Sequence, residues 1–101
     1  MVDSGGKPWL LDKIYVIKSG SVFRAQPPTK VVNNGQTVTW DGRGGTLAFT
    51  DPPPAQLTNV KQPAKDIITA TVASTDPFFE YSMTCNGFPV EGNSPPIIIV
   101  E

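Results

Sequence analysis

The chain has 101 residues, with eight Lys and Arg against nine Asp and Glu, no histidine and a single cysteine. That length suits one domain with a small core of its own, and a formal charge of −1 without any basic cluster excludes the electrostatic footprint of a nucleic-acid binder. The missing histidine removes every Ser-His-Asp or Cys-His nucleophile pair and every imidazole metal ligand, and one cysteine allows no intrachain disulfide.

No apolar run approaches the ~20 residues that a membrane-spanning helix needs. Met1 to Pro8 is polar and glycine-bearing, so no signal peptide is expected in this stretch. Nine glycines and eleven prolines punctuate short runs rich in Val, Ile, Thr and aromatic residues, the composition of a pleated surface. No run carries an apolar stripe of helical period. An all-β fold follows, with residues 1–12 as an N-terminal extension and 13–101 as the domain.

The first strand is expected over Lys13–Lys18, closed by Ser19-Gly20, and the second over Ser21–Ala25, ended by Gln26-Pro27-Pro28 because proline removes a ladder donor. Thr29–Val32 runs into Asn33-Asn34-Gly35-Gln36, where Asn-Gly is a strong hairpin signal. Gln36–Trp40 alternates, with Val38 and Trp40 on one face. Asp41–Gly45 reads as a glycine loop tightening a hairpin into Thr46–Thr50. Asp51-Pro52-Pro53-Pro54 is a stiff polyproline-like turn, and 55–65 reads as a loop with room for one helical turn.

Asp66–Ala73 places Ile68, Ala70 and Val72 on one face, and Phe79–Cys85 does the same with Phe79, Tyr81, Met83 and Cys85. Asn86–Pro96 reads as a long connection, and Ile97–Val100 as a closing apolar strand. Seven to eight strands at this spacing predict a two-sheet sandwich.

Three stretches carry a family resemblance: Val32–Trp40 as a glycine turn leading into a Thr-Val-Thr-Trp strand, Lys65–Thr71 as the strand before a last hairpin, and Tyr81-Ser82-Met83-Thr84-Cys85. Together they resemble a cupredoxin, the Greek-key sandwich of plastocyanin and azurin, over roughly residues 13–101. The resemblance implies a periplasmic or secreted location and puts Cys85 at the copper thiolate. It also puts Phe88 where the family's second histidine stands, Asn93 or Ser94 near the axial methionine, and Gly45 or Thr46 at the first histidine. A blue-copper centre needs two imidazoles and a thiolate, so the type 1 site is absent from this chain.

The residues leave three roles for Cys85, of which intermolecular disulfide or redox chemistry lacks the basic neighbour that a reactive thiol needs. Its shared face with Phe79 and Tyr81 makes it a small core hydrophobe; the alternative is a non-standard copper site using Cys85 with Met83 or Glu91, for storage, delivery or electron transfer. Trp40 shares the apolar face of Val38 and belongs to the core, whereas Trp9 either plugs one end of the sandwich or stands as an exposed anchor. The scattered carboxylates, including Asp41 and Asp51 at the two ends of one expected hairpin, serve turns and solubility. Gly42-Arg43-Gly44-Gly45 lacks the Lys-Ser/Thr end of a phosphate loop. Ile97–Val100 is either central and buried or an edge open to strand addition.

The end loops 41–45 and 86–96 are the expected contact surface, since binding concentrates on loops held by a rigid scaffold. By the resemblance, Phe88 and Val90 are the contact candidates there. The reading is a non-enzymatic recognition or structural module with no cofactor, a protein partner, no nucleic acid and no membrane span, as a monomer or weak dimer, or by strand exchange through 86–96.

Overall fold

A computed structural model describes residues 13–50, 52–91 and 96–101. It contains eleven strands and no helix among them: β1 Lys13–Ser19, β2 Val22–Gln26, β3 Thr29–Val32, β4 Thr37–Asp41, β5 Leu47–Phe49, β6 Leu57–Ala64, β7 Ile67–Val72, β8 Phe78–Glu80, β9 Met83–Cys85, β10 Phe88–Glu91 and β11 Ile97–Val100. They form an eight-stranded sheet in the order β5-β9-β10-β2-β1-β4-β7-β6 and a three-stranded sheet in the order β3-β11-β8. The fold is an all-β, two-sheet sandwich.

Period-two alternation explains why these strands bury what they do. Ile14 and Val16 of β1, Val38 and Trp40 of β4, and Ile68, Ala70 and Val72 of β7 form the inner face of the large sheet. Val32, Phe79 and Ile98 face them from the small sheet. The Trp40 ring meets Phe49 and Tyr81 edge-on, with centroids 5.6 and 5.3 Å apart, a geometry favoured by the ring quadrupoles.

Six expectations need correction. Residues 57–64 are a strand, not a loop with a helical turn. β6 lies at the sheet edge, buries only Leu57, and slips register twice against β7, with Asn59 at a φ of 51°. An edge strand with one side in solvent and bulges in its ladder keeps no alternation to read.

The Asn34-Gly35 pair does not make a hairpin either. Gly35 has a φ of 87°, but β3 and β4 belong to different sheets. The turn is a corner between them, held by Gln36 N donating to Asn33 O at 3.1 Å and by the Asn34 amide clasping Ser74. Likewise β4 and β5 are not paired: β5 joins β9 instead, so Asp41–Gly45 turns no hairpin. Asp51 lies outside the described residues.

The expected strand 79–85 is two strands in two sheets, because the chain crosses between β8 and β9 at Tyr81-Ser82. Alternation survives the crossing, since Phe79, Tyr81, Met83 and Cys85 are all buried. Residues 88–91 of the supposed long connection form β10, which pairs antiparallel with β9 and parallel with β2. These differences raise the strand number from the expected seven or eight to eleven. β11, finally, is the central strand of the small sheet, flanked by β3 and β8, so it is no edge for strand addition.

Candidate functional site

One end of the sandwich gathers the features singled out in the sequence. β9 ends at Cys85 and turns through Asn86-Gly87, whose φ values of 54° and 84° suit a type I′ turn, the connection matched to the twist of a hairpin. Thr46 N donates to Asn86 Oδ1 at 2.9 Å, and Asn86 N donates to Thr46 O at 2.8 Å. These two bonds tie the turn to the chain just after the Gly42–Gly45 loop. The loop's own N–H groups are also taken. Gly42 N donates to Asp66 O, Arg43 N to Asp41 Oδ1, Gly44 N to Asp66 Oδ2 and Gly45 N to Gly42 O, all within 2.7–3.0 Å.

Asp41 also pairs with Lys13 Nζ at 3.5 Å. The Asp41 and Asp66 carboxylates therefore brace the loop through the adjacent N–H groups of Arg43 and Gly44.

Cys85 is fully buried, and burial pushes its thiol above the ordinary 9.0. Its Sγ packs so closely on Gly45 that a Cβ there would collide with it. Met83, on the same face of β9, is buried too. A type 1 copper centre does not fit this donor set. The chain has no imidazole, and the buried sulfur faces the Gly45 backbone. Among the described residues no three His, Cys, Asp or Glu side chains stand together as a metal-binding group, and no helix is long and apolar enough to cross a membrane.

The two contact candidates part company. Phe88 is 64% exposed and leans on Phe23 with ring centroids 6.5 Å apart, whereas Val90 is only 6% exposed and belongs to the core. Both have inward parity on β10, but Phe88 begins the strand at the rim and overhangs the core. Trp9 lies outside the described residues. Sequence reasoning missed the cleft beside Phe23. It has a volume of about 490 Å³ and lies between Val16–Lys18 of β1, Phe23 of β2, the Gly42–Gly45 loop and Asn86. Among the described residues its lining carries two cations, Lys18 and Arg43, and no carboxylate. The Arg43 guanidinium stands 5.7 Å from the Tyr15 ring centroid, within cation–π range. Only the Asn86-Gly87 dipeptide could have announced this site, as the hairpin signal that Asn34-Gly35 is not.

A second apolar row lies elsewhere, on the outer face of the small sheet, where exposed Val31 and Phe78 flank half-buried Ile99 in register across three strands. No protein-family model matches the chain, and no curated protein matches it either.

Proposed function

We propose that this chain is a cupredoxin-like sandwich without a type 1 copper site, serving as a non-enzymatic recognition module in a periplasmic or secreted setting. Its contact surface is the end formed by the Gly42–Gly45 loop, the Asn86-Gly87 turn and Phe88. The observation that carries the reading is Phe88, a large aromatic side chain 64% exposed on a rigid hairpin beside a cleft. A ring held by Phe23 loses little freedom on binding, so its burial by a partner stabilises a complex at low entropic cost.

The test compares three variants in affinity capture from the native source. Phe88→Asp is expected to lose the captured partner, while Cys85→Ser and Phe78→Asp keep it. Loss with Phe78→Asp alone would move the contact to the small sheet. A parallel titration with Cu(I) and Cu(II) checks the metal question. Stoichiometric binding with a thiolate charge-transfer band that Cys85→Ser abolishes would overturn the reading in favour of a copper protein.

A further inference from the structure

The cleft is a gap in the eight-stranded sheet. β1 runs from Lys13 to Ser19, but β4 accompanies it only from Lys13 to Tyr15. Beyond Tyr15 one side of β1 stays paired with β2 up to Ser19↔Val22; its other side faces the Gly42–Gly45 loop. Gly20, at a φ of 65°, opens the two-residue turn that Ser19 and Val22 close. In such a hairpin the closing pair exchanges backbone hydrogen bonds and the direction alternates along the strand. Ile17 and Ser19 therefore turn their N–H and C=O groups to β2, and Lys18 turns its pair to the cleft; Val16, one register step earlier, adds only its C=O, because the pairing of Tyr15 with Asp41 takes its N–H.

The loop's N–H groups are bonded to Asp41, Asp66 and Gly42, and among the described residues no backbone bond joins Lys18 to the loop. Its three glycines leave the wall without side chains, and glycine is the residue that lets another backbone approach closely. A strand edge of this kind, set in a cleft, is what β-augmentation uses: main-chain bonds supply affinity and flanking side chains supply selectivity. The Asp41 and Asp66 carboxylates on this loop are engaged by Lys13 and by backbone N–H groups, so Lys18 and Arg43, which line the cleft, set the charge of the partner.

We propose that the cleft takes an extended acidic peptide segment of a partner protein, added as a strand along Val16–Lys18 with a carboxylate between Lys18 and Arg43. A second copy of this chain is a poor occupant. Its longest free edge, β6, carries exposed Lys61 and would bring a cation toward two others. The proposal rests on the recognition reading above and adds the partner's chemistry and binding mode.

The experiment selects the whole 101-residue chain against a phage-displayed library of random linear octapeptides. Enriched sequences are expected to carry Asp or Glu among β-branched residues and to lack proline. A synthetic peptide of the leading sequence should shift the amide resonance of Lys18 and slow its hydrogen exchange. Lys18→Glu combined with Arg43→Glu, both exposed positions, should weaken it by about tenfold or more. Absence of enrichment, basic or proline-rich winners, or binders that leave the Lys18 amide unchanged would overturn strand addition. Winners that instead perturb only Phe88 and its surroundings would sink the strand mode and leave the recognition end standing. Failure of the selection together with unchanged partner capture by Phe88→Asp would sink both.

Discussion

Cys85 is where the sequence pattern is most suggestive and the local chemistry least accommodating to a metal. A thiol held against the Gly45 backbone acts through volume, so its role is measured by packing. Gly45→Ala adds a methyl where the sulfur already sits, and overpacking of this kind costs about 1–3 kcal/mol. Removing the sulfur should relieve it: in urea unfolding the Gly45→Ala/Cys85→Ala pair is expected to be more stable than the sum of the single changes by about 0.5–3 kcal/mol. Strict additivity would mean that the loop and the thiol do not touch.

Burial also makes the residue a pH reporter. Its folded pKa lies above 9.0, so as pH rises past that value the unfolded chain releases its proton first and unfolding gains. The contribution is whole below about pH 9 and is lost through the folded value. Tyr81 adds a second limb above 10.0, since burial raises its phenol strongly while the Trp40 indole opposes this weakly. Cys85→Ala should therefore flatten the fall in stability between pH 9 and 10 and leave the later fall in place. An unchanged slope would show that the thiol is not buried in solution.

At the scale of elements, what could be read in advance divides by burial. β1, β4 and β7 were legible because each presents one buried apolar face, and alternation is the imprint of that face. β6 was not, since seven of its eight residues are exposed and a strand at an edge has no apolar row to display. β8 and β9 merged in the sequence because period two records which side is buried and not which sheet supplies the partners. The two Asn-Gly pairs make the same point about turns. Both provide the positive φ a tight turn needs, yet one joins sheets and the other joins neighbouring strands. The candidate site suffered from this most, because Val90 could be placed inside only once β10 was known to be a strand against β2. Phe88 was singled out only through its place three residues after Cys85; Lys18, Phe23 and Arg43 were not, because a gap between β1 and a loop is a feature of topology.

For the molecule as a whole, the question is whether the two sheets form one cooperative unit, since a recognition end built from the large sheet alone needs the small sheet only if their stabilities are joined. The packing argues that they are. Ile98 is fully buried at the centre of the small sheet and belongs to the same continuous core as Ile14, Trp40 and Ile68. Tyr81, at the crossing from β8 to β9, packs edge-on against Trp40 of the large sheet. Contacts of this sort are lost together, so a defect in one sheet is felt in the other. Ile98→Val removes one methylene from this shared core and should cost about 0.5–1.5 kcal/mol. If the sandwich opens as a unit, the slowest-exchanging amides of β7, on the far side of the large sheet, will speed up by about 2- to 13-fold, the same factor as those of β11. Acceleration confined to β3, β8 and β11 would make the small sheet a separate unit, and the cleft beside β1 would then keep its shape while that sheet frays.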